Sequence, residues 1–180
     1  TDSTSYAWWF ELFRFVIFLP LIFFTAFTIP KFESLLLLAL IGISEFFSIY
    51  FYMKMHSRSE LSISTTISQL RLLWVPLFAL IFLGEKLGTY EYLGIFLIFA
   101  GLFTVNFERK IIINKGMQFA LIATFFAATN NILFKKSADI FSPPMIAAAM
   151  TVPTLVIFPI KMKESFSRIK TLGRNTWRKI

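Results

Sequence analysis

Apolar residues along this chain occur in six long runs, each of about 20 residues, and short polar segments separate the runs. A helix rises about 1.5 Å per residue, so roughly 20 apolar residues are needed to cross the hydrocarbon core of a bilayer, which is about 30 Å thick. The pattern therefore predicts an all-α fold, a polytopic membrane helix bundle of about six transmembrane helices. We name the predicted helices spans A to F, and they cover residues 6–27, 32–53, 62–83, 90–106, 116–134 and 143–160.

Composition favours a membrane protein over a water-soluble globule. Of the 180 residues, 57% are hydrophobic and 16% are charged, and the mean hydropathy is +0.71. Soluble domains are typically about 45–50% apolar and about 25% charged. The chain has no Cys and one His, which argues against disulfides, thiolate metal sites and multi-His metal centres. Because the sequence also lacks an HExxH motif and a closely spaced carboxylate pair, we expect no enzyme, no metal and no cofactor.

Positive charge is concentrated near the C-terminus. The formal net charge is +8, and seven Lys and Arg side chains lie between Lys161 and Lys179. A basic cluster beside a membrane span contacts anionic lipid headgroups more often than nucleic acid. We therefore expect membrane lipids as partners, no nucleic-acid partner, and a basic loop or tail over residues 162–180.

The distribution of charge between the loops predicts an orientation. With six spans, both ends of the chain lie on one side of the membrane, here called X, and the opposite side is Y. Twelve Lys and Arg residues of the loops and tail fall on X, and four fall on Y. The positive-inside rule therefore favours X as the cytoplasmic side. We separately expect a multi-pass protein of the cell membrane, that is, the inner or plasma membrane.

A short internal echo relates span A to span F. At an offset of 139 residues, Ser3 falls on Ser142 and Pro20 falls on Pro159. Four helices lie between the two spans, so span A is the first crossing and span F the sixth, and they cross the membrane in opposite directions. Matching segments in opposite orientation are typical of inverted-repeat transporters, whose substrate site lies near the membrane midplane between the repeats.

Residues 62–106 contain a series of motifs in a fixed order. The series is a polar helix start, Gln69-Leu70, Val75-Pro76-Leu77-Phe78, Phe82-Leu83-Gly84-Glu85-Lys86-Leu87, Tyr92-Leu93-Gly94-Ile95 and Phe99-Ala100-Gly101. In this order the motifs resemble helices four and five of the five-helix repeat in the EamA-type, ten-helix branch of the drug/metabolite transporter superfamily. The segment from Lys115 to Pro143 looks like the start of a second repeat.

The resemblance implies a division of the chain. Residues 1–107 would be the remainder of a first EamA-like repeat, with four helices and the first one missing, and residues 116–161 would be the first two helices of a second repeat. The chain would then correspond to helices two to seven of ten. The family's usual cytoplasmic N-terminus would place X outside the cell, which disagrees with the charge count, so the orientation stays open.

Four polar residues inside spans A to C stand out: Arg14, Glu45, Gln69 and Arg71. An ionisable group in lipid costs at least about 2.5–3.5 kcal/mol, so each needs a partner or water. Depth along the spans places Arg14, Glu45 and Arg71 within about 6 Å of the midplane, toward X. One hypothesis is a polar patch on an X-facing cavity, with Glu45 as a proton or cation acceptor and an arginine binding an anionic group. The alternative is an interhelical ion pair that only holds spans A to C together, with Gln69 as a hydrogen-bonded crosslink.

Other polar residues lie near this level. Asn130 and Asn131 fall in the Y half of span E, where an amide either binds a substrate carboxylate or hydroxyl or ties two helices together. Glu11 lies three residues before Arg14 and is interpreted as its partner near the membrane interface.

Three residues concern the packing of helices. Pro76 is expected to kink span C or to loosen its hydrogen-bond ladder. Gly94 and Gly101 place small residues on one face of span D, which favours close packing against another helix.

The resemblance and the polar residues lead to one main hypothesis for function. We expect a secondary transporter that moves a small-molecule substrate, a metabolite or drug, by alternating access. Two alternatives stay open: a non-transporting membrane subunit for assembly or sensing, and a truncated fragment that is inactive unless two copies pair as a homodimer.

Overall fold

The computed structural model describes residues 3–25, 31–57, 68–107 and 115–161, and the regular elements in these ranges are all helices. The predicted all-α bundle is confirmed. Its six helices are α1 (Ser3–Ile22), α2 (Phe32–His56), α3 (Arg71–Phe78), α4 (Thr89–Phe107), α5 (Lys115–Ala138) and α6 (Pro143–Lys161). The predicted basic tail, residues 162–180, and the predicted start of span C, residues 62–67, lie outside the described residues.

Helix length and composition agree with a multi-pass membrane protein. Two shorter apolar helices, Arg71–Leu83 and Thr89–Gly101, fall within spans C and D. Four helices in the described ranges are long and apolar enough to cross a membrane, and they are Thr4–Ile22, Phe32–His56, Lys115–Ala138 and Pro143–Ile160.

Helices α1 and α6 pack side by side in opposite directions. The indole N–H of Trp8, near the start of α1, donates to the carbonyl oxygen of Leu155 at 3.3 Å. Beyond the other end of α1, the hydroxyl of Thr25 donates to the hydroxyl of Ser142, just before α6, at 3.0 Å. Spans A and F therefore run antiparallel, in the direction that the sequence echo predicted. We call the end of the bundle that holds the start of α1 and the end of α6 end X, and the opposite end is end Y.

Helix α2 is the centre of the bundle and packs against α5 on one side and α6 on the other. Its contact with α6 is close at Gly42. A Cβ atom at this position would lie 2.8 Å from Cγ of Pro153 and 3.0 Å from the carbonyl oxygen of Ala149. The absence of a side chain at Gly42 therefore lets α6 approach the backbone of α2.

Helix α4 is the most weakly packed element of the described chain. It contacts α3, and its large apolar side chains are mostly exposed. A Cβ atom at Gly94 or Gly101 would have no neighbour within 4 Å among the described residues. The close helix packing that the sequence predicts for these two glycines therefore has no partner helix in the described bundle, and Gly42 is the glycine that fills this role.

The helix of span C changes its hydrogen-bond pattern after Pro76. Proline has no backbone N–H, so it removes one bond of the α-helical ladder. Three residues later the chain continues as a π-helical turn, Ala79–Leu83, which ends at Gly84 in the left-handed region with φ +66°. Glycine adopts this conformation without the strain that a Cβ atom would cause.

Candidate functional site

An ion pair between α1 and α2 forms the centre of the site. Nη1 of Arg14 donates to Oε1 of Glu45 at 2.8 Å, and both side chains are largely buried. The second guanidinium nitrogen, Nη2, lies 3.4 Å from the sulfur of Met150 on α6. Arg14 therefore connects three helices at the level where the sequence placed Arg14 and Glu45 together.

Asn130 on α5 completes the coordination of Glu45. Its side-chain amide donates to Oε2 of Glu45, the oxygen that Arg14 does not bind. Span E was predicted to end at residue 134, but α5 continues to Ala138, so Asn130 lies nearer the helix middle than expected. Each oxygen of the Glu45 carboxylate thus accepts a hydrogen bond, which is the arrangement that stabilises an ionised carboxylate.

Glu11 is the second carboxylate beside Arg14. Its Oε1 lies 3.5 Å from Nη1 of Arg14, which is longer than a strong charge-assisted hydrogen bond. The residue is 1% exposed, and its other oxygen, Oε2, has no hydrogen-bond partner among the described residues. The sequence predicted that Glu11 contacts Arg14. It did not predict that Glu11 is buried.

A cavity of about 510 Å³ opens beside this network, between the X-side halves of α1 and α2 and the middle of α5. Arg14, Glu45, Arg71, Asn130 and Asn131, five of the six candidate pathway residues, line it. The remaining lining residues are Tyr6, Ala7, Phe10, Glu11, Ser48, Ile49, Tyr52, Met53, Ala127 and Met150.

A second cavity of about 260 Å³ lies next to the first, on the side of α3. Ser48, Tyr52 and Arg71 line both cavities. Gln69 lines the second cavity but not the first. Arg71 is exposed and forms no salt bridge with any carboxylate in the described part of the chain. It therefore lies between the two cavities without a carboxylate partner among the described residues.

End Y is closed by apolar packing. Leu38 and Ile41 of α2 pack against Ile146 and Met150 of α6, and Phe141 covers the turn between α5 and α6. At the surface of this end, Nζ of Lys135 binds the carboxylate of Glu85 and so connects α5 to the loop that follows α3. Among the described residues, the cavities therefore lie toward end X and the apolar cluster lies toward end Y.

The structure brings together residues that the sequence treated separately. Arg14, Glu45 and Asn130 form one network, whereas Asn131 and Arg71 face the cavity outside it. Met150, whose sulfur contacts Arg14, could not be identified from the sequence, because an apolar thioether on an apolar helix has no distinguishing pattern. In the described ranges no group of three or more His, Asp or Glu residues is placed to hold a metal ion.

Comparison with known proteins gives one match. A family model described as the EamA-like transporter family matches residues 1–107, which is more than half of the chain. No curated protein and no solved structure gives a significant match.

Proposed function

The chain belongs to the EamA-like transporter family, and on this premise we propose that it carries small organic solutes across the cell membrane by alternating access. A membrane transporter needs a polar site that is reached from one side at a time. The cavity beside Arg71 lies toward end X, and the apolar cluster of the described residues lies toward end Y, which supports this role.

Arg71 and Asn131 are the residues that we assign to solute binding. Both side chains are exposed to the main cavity, and Arg71 has no salt bridge among the described residues. A free guanidinium binds a carboxylate or phosphate through two parallel hydrogen bonds, and an amide adds a donor and an acceptor beside it. The solute is therefore expected to carry an anionic group. A volume of about 510 Å³ is in the usual range for small-molecule sites, about 300–1,000 Å³.

The network of Arg14, Glu45 and Asn130 has a different role in this proposal. Arg14 and Asn130 donate to the two oxygens of the Glu45 carboxylate, so the network connects α1, α2 and α5 around the cavity. For Arg14 and Glu45 we therefore adopt the alternative of an ion pair that holds the helices together. For Arg71 and Asn131 we keep the hypothesis that they bind solute.

The division into two repeats is part of the same proposal. Residues 1–107 would belong to the first EamA-like repeat and residues 116–161 to the second. The antiparallel packing of α1 against α6 supports it, because inverted repeats place corresponding helices in opposite directions.

Uptake into liposomes that contain the purified full chain tests the proposal. Labelled succinate, alanine and uridine serve as a dicarboxylate, an amino acid and a solute without an anionic group. We expect uptake of at least one anionic solute above that of empty liposomes. Arg71→Gln should lower this uptake about tenfold or more, and Arg71→Lys should retain more of it because the charge is kept.

Two outcomes contradict the proposal in different ways. Uptake of uridine alone, unchanged in Arg71→Gln, would show that Arg71 does not select the solute. No uptake of any solute by a folded, monodisperse chain would instead support a non-transporting membrane subunit or an inactive fragment.

A further inference from the structure

Two carboxylates share one guanidinium in the centre of the bundle. Arg14 lies 2.8 Å from Glu45 and 3.5 Å from Glu11. One cation compensates one anion, so a second ionised carboxylate at this depth would carry an unpaired charge away from water. The neighbouring helices offer no other compensation at contact distance: α5 contributes the neutral Asn130, and α6 contributes Met150. The titratable and charged groups that line the cavity around the pair are Tyr6, Tyr52 and Arg71.

The hydrogen bonds distinguish the two carboxylates. Glu45 accepts from Arg14 on one oxygen and from Asn130 on the other, so each of its oxygens has a donor. Glu11 has one long contact, and its Oε2 is buried without a partner in the described part of the chain. A neutral carboxylic acid is the form of Glu11 that leaves no charge uncompensated.

We propose that Glu11 binds one exchangeable proton at Oε2 and that its binding and release couple solute transport to protons. The coupling rests on the proposed transport function, whereas the proton site does not. Binding forms one O–H bond between a proton from the X-side cavity and the Glu11 carboxylate, and release breaks the same bond. The net charge of Glu11, Arg14 and Glu45 changes from −1 to zero on binding. The neutral set can be enclosed when the cavity closes, while the charged set resists enclosure.

Thermal unfolding of two matched variants locates the proton without measuring transport. If Glu11 is the neutral acid, Glu11→Gln replaces it by a neutral side chain of the same shape, and the unfolding midpoint should stay within about 2 °C of the wild type. Glu45→Gln removes the anion that Arg14 and Asn130 bind, and the midpoint should fall by about 5–10 °C. Glu33→Gln, at the exposed start of α2, is the control and should cause no change.

The reverse results overturn the assignment. If Glu45→Gln left the unfolding midpoint unchanged and Glu11→Gln lowered it, the proton would be on Glu45. A clear rise of the midpoint in Glu11→Gln would show that both carboxylates are ionised in the wild type. Infrared spectroscopy gives an independent readout, because the wild type and Glu33→Gln should show a protonated carboxylic acid band that Glu11→Gln lacks. Absence of this band in the wild type overturns the proton site.

Solute uptake under an imposed pH gradient tests the coupling. Uptake of labelled succinate by the wild type should change with the gradient, and uptake by Glu11→Gln should be the same with and without it. A gradient response that survives in Glu11→Gln overturns the coupling. If the wild type shows no uptake while the unfolding and infrared results are as expected, the transport function and the coupling both fail, and the proton site stands.

Discussion

At the scale of single residues, two adjacent asparagines have different environments. Asn130 is 4% exposed and donates to the Glu45 carboxylate, whereas Asn131 is exposed to the cavity. Successive residues of a helix point about 100° apart, so one of a pair can face the bundle while the other faces open space. Within one turn of α5, Asn130 therefore contacts the ion pair, and Asn131 is placed to contact the proposed solute.

Substitution of each asparagine by leucine tests this separation. Asn130→Leu leaves Oε2 of Glu45 without its donor, and the free energy of unfolding should fall by about 1–2 kcal/mol. Asn131→Leu changes an exposed side chain, and its effect should be within about 0.5 kcal/mol. Denaturation in detergent measures both. Solute uptake should fall more in Asn131→Leu than in Asn130→Leu, because Asn131 belongs to the proposed solute site. Equal losses of stability in the two variants would contradict the assignment.

At the scale of the helices, the close contact at Gly42 sets the distance between α2 and α6. The nearest atoms to a Cβ atom there belong to a proline ring and to a backbone carbonyl, and neither can move away as a flexible side chain does. The same two helices carry Glu45 and Met150, which meet Arg14 from either side. The spacing at Gly42 therefore also affects the distance between Glu45 and Met150, which both contact Arg14.

Gly42→Ala should separate the two helices and destabilise the bundle. Overpacking of this kind costs about 1–3 kcal/mol. Gly94→Ala is the matched control, because a Cβ atom there meets no described neighbour within 4 Å and alanine favours the helix over glycine. Unfolding midpoints compare the two variants. A Gly42→Ala protein as stable as Gly94→Ala would show that α6 can shift without cost.

The number and approximate limits of the helices follow from the sequence, but their facing sides do not. The six apolar runs predict α2 and α6 to within a few residues, and the depth of Arg14 and Glu45 places them at one level. In a bilayer the outward side of a helix is as apolar as the inward side, so no polar face marks the direction of the core. For this reason the burial of Glu11, the close contact at Gly42 and the contact of Met150 with Arg14 could not be predicted.

At the scale of the whole molecule, the cavities lie toward end X of the described bundle and the apolar cluster lies toward end Y. Ser48 on α2 lines both cavities on the X side. Ser137, near the Y end of α5, is fully buried and donates to the carbonyl oxygen of Leu133 at 2.8 Å. Ser48 and Ser137 therefore differ in accessibility and lie on opposite sides of the bundle, one toward X and one toward Y.

Single-cysteine variants at these two positions measure this difference. The chain contains no Cys, so a maleimide reacts only with the introduced cysteine. A membrane-impermeant maleimide should modify Ser48→Cys from one side of the membrane only, and Ser137→Cys should be protected while end Y is closed. Modification from the cytoplasmic side would agree with the excess of Lys and Arg in the X loops, and modification from outside would agree with the family's usual N-terminus.

Equal reactivity of both cysteines would contradict a bundle closed at Y. A solute that exposes Ser137→Cys while protecting Ser48→Cys would instead reveal the second state that alternating access requires, since one site cannot be open to both sides at once.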